Sequence, residues 1–174
     1  MKAESQFSKS YGLAIVAVLS LGVALRFWQL ARFKTLVFDE VYFAEFAQAY
    51  LAGKPEFDAH PPMGKYLIAF GVWLSGYIPW NEWGLTASIN PQLGLPAFSY
   101  RWMNALVGGL IPLIAMGVAH TLSESIGGSS LKRNELRGTG LTQQQTFTLL
   151  TGIFVAVDGL FIAESRYALI NIYM

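Results

Sequence analysis

The stretch of sequence that decides the fold is Phe38–Lys65, FDEVYFAEFAQAYLAGKPEFDAHPPMGK. It opens with two adjacent carboxylates, Asp39 and Glu40, and closes with HPPMGK at residues 60–65. Apolar chain lies on both sides of this polar segment. Carboxylates, a histidine and a lysine beside a hydrophobic span predict a site at the boundary between water and lipid.

The composition of the 174-residue chain is that of a membrane protein. Hydrophobic residues make up 53% of the chain and charged residues 13%, whereas soluble domains carry about 25% charged residues. The net charge of +1 gives no reason to expect nucleic-acid binding. The chain has no cysteine, which excludes disulfides and thiolate metal sites.

Three apolar stretches predict an all-α integral membrane protein, with spans at about 11–31, 102–122 and 146–163. About 20 apolar residues, at a rise of 1.5 Å each, cross a hydrocarbon core of ~30 Å. The third stretch is of minimal length and contains Asp158. The chain ends in the apolar run YALINIYM, which predicts the start of a further helix. The 174 residues are therefore expected to be the N-terminal part of a longer protein.

Two segments between the first and second spans are predicted to be interfacial. Phe38–Gly53 has aromatic residues at helical spacing, and it predicts an amphipathic helix capped by Asp39 and ended by Gly53. Tyr66–Trp80 is apolar for about 15 residues and is interrupted by glycine and proline. That length suits an interfacial or re-entrant segment better than a span.

The distribution of Lys and Arg predicts the topology. The N-terminus and the linker at about 123–145, which contains KRNELR, are both basic, and basic loops face the cytoplasm. If Tyr66–Trp80 does not cross, residues 34–98 form one large outer loop. Asp39, His60 and Lys65 then share the outer face of the membrane.

Asp39 has two compatible interpretations. Aspartate is a favoured N-cap residue, and a carboxylate just outside a membrane helix can also act as a general base or metal ligand. Arg26, Arg101 and Arg166, with Lys65, lie near the predicted outer ends of the spans. Each alone is typical of a boundary anchor, but together they could bind a phosphate group.

The pair Asp58 and His60 is a possible metal site, but the spacing supplies no third ligand, so no metal is predicted and a divalent ion remains only possible. His60-Pro61-Pro62 is a stiff turn because proline fixes φ and extends the residue before it. Asp158 is either a functional carboxylate or a partner for one of the arginines.

The combination of Asp39-Glu40 with HPPMGK resembles the first outer loop of the dolichyl (polyprenyl) phosphate mannose–protein O-mannosyltransferases. Arg26 resembles the arginine at the end of that family's first span, and Tyr100-Arg101 the start of its second. The similarity extends in patches through Asp158-Gly159-Leu160 and Ser165-Arg166 to residue 171, where Asn171 replaces a frequent aspartate. Gly64 and Tyr42 resemble the bacterial branch.

The resemblance implies a GT-C fold of glycosyltransferase family 39 and transfer of mannose from a polyprenyl or dolichyl phosphate to Ser/Thr hydroxyls of exported proteins. It implies that Asp39 is the base, supported by Glu40, and that the sugar donor is not a nucleotide sugar. It further implies donor-phosphate binding by cationic residues: Arg26, His60, Lys65, Arg101 and Arg166. A bacterial plasma membrane is favoured over the endoplasmic reticulum, and the fragment alone is expected to be inactive. The alternatives are another GT-C transferase of lipid-linked sugars and a transporter fragment.

Overall fold

The computed structural model describes residues 2–78, 89–133 and 140–173, and within them the regular secondary structure is helical. The predicted all-α class is confirmed. The elements are α1 (Lys2–Phe27), α2 (Glu40–Leu51), α3 (Pro62–Ser75), α4 (Ala97–Arg133), α5 (Gln143–Val157), α6 (Gly159–Arg166) and a 3₁₀ helix (Ile170–Tyr173). The chain divides into two compact units, one made of Met1–Leu25 and Gly109–Asp158 and the other of Arg26–Gly108 and Gly159–Met174.

The first unit is a helical cluster in which glycines allow close approach. Its core contains Val18, Met116, Leu149 and Ala156. A Cβ added to Gly152 would lie 2.6 Å from two side-chain atoms of Met116. Small residues at helix contacts are typical of membrane proteins, because packing rather than the hydrophobic effect drives association there.

Two helical segments are long and apolar enough to cross a membrane, Lys9–Phe27 and Ala97–Ile126. The first helix ends four residues before the predicted limit of 31. Gln29 there has φ of +49°, a left-handed conformation that an α-helix cannot contain. Leu30 N–H then closes a turn on the carbonyl of Phe27.

The second predicted boundary also differs, because α4 continues to Arg133 instead of giving way to a linker at residue 123. Hydropathy marks the lipid boundary, but a helix can continue into water, which the polar sequence alone does not reveal. The central part of the predicted linker, residues 134–139, lies outside the described residues.

The predicted third span consists of two successive helices, α5 and α6, rather than one. Asp158 lies at the break with φ −61° and ψ 123°, which is extended backbone. Aspartate favours this conformation immediately before a helix, and the following Gly159 is a poor helix former. The final apolar run gives only a short 3₁₀ helix in the described residues.

The second unit contains the segment Phe38–Lys65. The predicted amphipathic helix is confirmed as α2, and Gly53 follows it with φ of +68°. α2 packs against α3, a helix of 14 residues that begins with Pro62 at its first turn. Buried side chains of both helices share one core with the start of α4 and the C-terminal residues; they include Phe43, Ala47, Ile68, Tyr100 and Leu169.

α3 is held against the first turns of α4. The indole N–H of Trp102 donates to the carbonyl of Gly71 at 2.9 Å, and a Cβ on Gly71 would lie 3.0 Å from Met103 Cβ. An exposed aromatic stripe at helical spacing runs along α3 and into the turn after it. It consists of Tyr66, Phe70, Trp73 and Tyr77, which are between 46% and 71% exposed.

Candidate active site

The centre of the second unit is a buried ion pair between Glu40 and Arg101. Both side chains are fully buried. Arg101 Nε donates to Glu40 Oε1 at 2.8 Å, and Nη2 donates to Oε2 at 2.7 Å. This is the bidentate arrangement that the planar guanidinium allows, and it is stronger and more directional than a single hydrogen bond.

The remaining donors of Arg101 bind the chain between the first span and α2. Nη1 donates to the carbonyl of Phe33 at 2.7 Å, and Nη2 donates to that of Thr35 at 3.0 Å. Because these donors are engaged inside the protein, the geometry does not support the prediction that Arg101 contacts a donor phosphate.

Glu40 is likewise enclosed by donors. Besides Arg101, it accepts hydrogen bonds from the backbone N–H of Val37 at 3.0 Å and of Ala168 at 2.9 Å. The four hydrogen bonds engage both carboxylate oxygens inside the protein. Glu40 is thereby fixed in position directly next to Asp39.

Asp39, that neighbour, is exposed at the start of α2. It occupies the N-cap position, but with φ −69° and ψ −4°, and its side chain makes no capping hydrogen bond. The predicted cap is thus wrong at the level of the side chain. The preceding Phe38 has φ of +58°, an outlier for a bulky residue that commonly marks functional sites.

A second cluster lies before and within the first turn of α3 and consists of Asp58, His60 and Lys65. Both oxygens of Asp58 lie 3.1 Å from His60 Nδ1. Lys65 Nζ donates to Asp58 Oδ2 at 2.9 Å and to the carbonyl of His60 at 3.1 Å. The side chain of Lys65 is only 2% exposed, whereas that of His60 is 51% exposed.

The hydrogen bond from Lys65 lowers the pKa of Asp58 from 3.8 to about 2, with a smaller contribution from His60. A lowered carboxyl pKa contributes stability that is fully present above the ordinary value and is lost as the pH falls through the lowered one. The charge on Asp58 therefore persists from neutral pH down to below pH 3.8.

α2 connects the two clusters. The rings of Phe43 and His60 meet edge to face with centroids 5.7 Å apart, and Lys65 Nζ lies 5.5 Å from the ring centroid of Phe46. Asp39 precedes Phe43 by four residues, or about one helical turn of ~5.4 Å. Asp39 thus lies one helical turn before the residue of α2 that contacts His60.

The remaining predicted arginines occupy different environments. Arg26 is fully buried, near Gly108 and the buried Ser165. Arg166 is partly exposed, and its Nη2 donates to the carbonyl of Trp28 at 2.7 Å. Of the arginines predicted to bind phosphate, Arg166 is the one with an exposed surface.

Replacing Gly108 by alanine should destabilise the protein by about 1–3 kcal/mol. The added Cβ would overlap the side chain of Ser165, whose Oγ would be 2.8 Å away, and would lie 3.1 Å from Arg26 Nε. Gly117→Ala is the matched control because it lies in the same helix with no heavy atom within 4 Å. Thermal unfolding of both variants in detergent measures the difference, and equal melting temperatures would contradict this packing.

Sequence reasoning missed Asn104, which closes the C-terminal side of the unit. It is fully buried; its Nδ2 donates to the carbonyl of Leu169 at 2.6 Å, and its Oδ1 accepts from the hydroxyl of Tyr173 at 2.6 Å. Its spacing could have revealed it, because a polar residue three positions after Arg101 lies on the same face of an apolar helix.

No group of three or more His, Asp or Glu side chains able to hold a metal occurs among the described residues. The possible pair Asp58 and His60 is brought together, but the ammonium of Lys65 lies 2.9 Å from Asp58. A cation is therefore already present at this carboxylate.

Comparison with known proteins identifies similar sequences. A family model described as dolichyl-phosphate-mannose-protein mannosyltransferase matches residues 16–127. The dolichyl-phosphate-mannose–protein mannosyltransferase 4 of Saccharomyces cerevisiae is 32% identical over 164 residues, which cover 92% of this chain and 19% of that protein. The protein O-mannosyl-transferase 1 of Mus musculus is 33% identical over 153 residues, which cover 82% of this chain and 19% of that protein.

The similarity extends to insects, with 30% identity over 152 residues to the protein O-mannosyltransferase 1 of Drosophila melanogaster, covering 87% of this chain and 15% of that protein. The chain thus spans about a fifth or less of the length of these relatives. No solved structure matches it.

Proposed function

Because the chain belongs to the dolichyl-phosphate-mannose–protein mannosyltransferase family, we propose that the full-length protein transfers mannose from a polyprenyl or dolichyl phosphate to Ser/Thr hydroxyls of exported proteins. The observation that carries this proposal is the position of Asp39 directly beside the buried Glu40–Arg101 pair. Its side chain is exposed and makes no capping hydrogen bond. The chain alone lacks most of the length of its relatives, so activity is expected only from the full-length protein.

In the proposed reaction, Asp39 accepts the proton of the acceptor hydroxyl as its oxygen attacks the anomeric carbon of mannose. The bond between that carbon and the phosphate oxygen breaks, and the lipid phosphate leaves with the electron pair. Attack from the side opposite the leaving group inverts the anomeric centre. Glu40 and Arg101 fix the backbone at residue 40 and so position the base beside it.

The leaving phosphate requires cationic or hydrogen-bonding partners. His60 and Arg166 have exposed surface, whereas Lys65 and Arg26 are buried in this structure. We therefore assign direct contact with the phosphate to His60 and Arg166. We assign to the buried Arg26 the role of a positive charge that acts on the phosphate without contacting it.

Replacing Arg166 by alanine should weaken donor binding. A hydrogen bond to a charged group contributes roughly 1.5–3 kcal/mol, which corresponds to a 10- to 150-fold change in affinity. The dissociation constant of polyprenyl phosphate mannose for the full-length protein measures this effect. Arg32→Ala changes an exposed arginine of the same unit and is the control. If both variants bind the donor with equal affinity, Arg166 does not bind the phosphate and is a boundary anchor.

The lipid-linked donor explains the exposed aromatic stripe of α3. Tyr and Trp concentrate at membrane–water interfaces, and α3 packs on the first turns of the candidate span Ala97–Ile126. We propose that α2 and α3 lie at the lipid boundary in a GT-C fold, where the carrier presents its phosphate. Gly64 and Tyr42 favour a bacterial plasma membrane.

The topology can be tested with single cysteines introduced at Phe57 and Ser125 of a full-length protein without other reactive cysteines. Phe57 is 96% exposed in the predicted outer loop, and Ser125 is exposed near the basic linker. Positive charge retains the linker in the cytoplasm, so an impermeant thiol reagent added outside should label only position 57. Labelling of both positions from one side would contradict the topology.

The activity itself is tested with the purified full-length protein, polyprenyl phosphate mannose and a peptide that contains serine or threonine. Mannose should appear on the hydroxyl residue, and a peptide with alanine at those positions should receive none. Absence of transfer to any hydroxyl peptide, with donor binding intact, would favour a different acceptor and overturn the proposed function.

A further inference from the structure

The cluster of Asp58, His60 and Lys65 has one member that faces outward. His60 is 51% exposed, Asp58 is 17% exposed and Lys65 is 2% exposed. Asp58 lies between the other two, with His60 Nδ1 3.1 Å from each of its oxygens and Lys65 Nζ 2.9 Å from Oδ2. A ligand that approaches the cluster from outside therefore meets the imidazole first.

The contact with Asp58 determines which nitrogen of His60 carries the proton. An ionised carboxylate only accepts hydrogen bonds, and Asp58 stays ionised because its pKa is about 2. Nδ1 must then be the donor in both charge states of the ring. Nε2 accepts a hydrogen bond when the ring is neutral and donates one when the ring is protonated.

Lys65 holds Asp58 and His60 in position from the buried side of the cluster. It donates both to the carboxylate of Asp58 and to the backbone carbonyl of His60, so it fixes both ends of the Asp58–His60 pair. The charges of Asp58 and Lys65 cancel. Protonation of His60 therefore decides whether the cluster is neutral or carries one positive charge.

The neighbouring groups of α2 do not change the dependence of the cluster's charge on His60. α2 meets the imidazole through Phe43, which does not titrate. The acidic residues of that helix region are Asp39, Glu40 and Glu45, of which Glu40 is engaged with Arg101. Asp39 lies about one turn before Phe43 in the chain, and Glu45 is exposed.

We propose that Asp58 is a positioning residue that directs Nε2–H of a protonated His60 at the donor phosphate, and that Lys65 acts by holding Asp58 rather than by touching the phosphate. This inference rests on the proposed function. In this arrangement His60 alone contacts the phosphate, and Asp58 and Lys65 orient it. Donor binding then depends on the protonation of His60.

The test is donor affinity as a function of pH, measured without acceptor so that the base Asp39 is not engaged. The donor phosphate is a diester with one negative charge throughout the range from pH 5.5 to 8.5, so the ligand itself does not titrate. The full-length protein should bind polyprenyl phosphate mannose roughly 10-fold more tightly at the acidic end, because only protonated His60 donates to the phosphate.

Three variants separate the roles. His60→Gln should bind weakly and without pH dependence, since glutamine cannot gain a proton. Asp58→Asn should reduce the pH dependence of binding, because an amide can donate to Nδ1 and so allows Nε2 of the neutral ring to carry the proton. Glu45→Gln removes an exposed charge of α2 and should leave the profile unchanged.

If Asp58 were merely structural, Asp58→Asn would lower the amount of folded protein without changing the pH dependence of donor binding, which distinguishes the two cases. A flat wild-type profile together with normal mannose transfer would overturn this inference and leave the proposed function standing. If the full-length protein neither binds the lipid donor nor transfers mannose at any pH, both fall.

Discussion

Asp39→Asn in the full-length protein is expected to reduce mannose transfer by a factor of ~10²–10⁴. Asparagine keeps the size of aspartate and caps helices as well as aspartate does, so it removes the proton acceptor and little else. The side chain of Asp39 is exposed and makes no capping hydrogen bond, so folding and donor binding should remain normal. Initial rates of transfer to a Ser/Thr peptide measure the loss.

Glu45→Gln is the matched control for this prediction, since Glu45 is an exposed carboxylate of the same helix. It should transfer mannose at the wild-type rate. An Asp39→Asn protein with a normal transfer rate would end the assignment of Asp39 as the base. A loss that came with weaker donor binding would indicate a role in binding rather than in proton transfer.

The largest effects on stability are expected at the Glu40–Arg101 pair. Arg101→Met leaves the carboxylate of Glu40 buried without its guanidinium, and removal of one partner of a buried pair costs about 3–5 kcal/mol. The carbonyls of Phe33 and Thr35 lose their donor as well. Denaturant titration of the purified protein in detergent should show the loss as a lower midpoint.

Arg32→Met is the control because Arg32 is an exposed arginine in the loop that Arg101 binds. Its side chain donates a hydrogen bond of 3.3 Å to the side chain of Gln29. Exposed charges contribute about 0–1 kcal/mol, so its midpoint should change little. A double variant Glu40→Met/Arg101→Met should be less destabilised than the sum of the single changes, since no charge is left unpaired. Strict additivity would show that the two side chains act independently.

Sequence patterns predicted the helical class and most of the site segment, because hydropathy and helical spacing are local properties. Apolar length revealed the candidate spans, and Gly53 marked the end of α2. The break at Asp158 was not predicted, since the length of an apolar stretch does not register one extended residue. The extension of α4 to Arg133 was missed for a related reason, because helix formation does not stop where hydrophobicity does.

The roles of individual charged residues were harder to predict than their presence. Arg101 and Lys65 are positively charged, as Arg166 is. The side chains of the first two, however, are buried and paired with a carboxylate. Which cation meets a ligand depends on partners 61 residues away for Arg101 and seven for Lys65. Such pairings follow from the tertiary fold, and a residue type or a short motif does not determine them.

Residues 33–35, in the loop between the first span and α2, are bound by the rest of the unit through their backbone carbonyls. Arg101 binds the carbonyls of Phe33 and Thr35, and Asn90 Nδ2 donates to that of Lys34 at 2.7 Å. The side chains of residues 32–35 are exposed. The amino acids at positions 33–35 can therefore vary, whereas insertion or deletion of a single residue would shift these carbonyls away from their donors. Variation among homologous sequences here should appear as substitution without change of length.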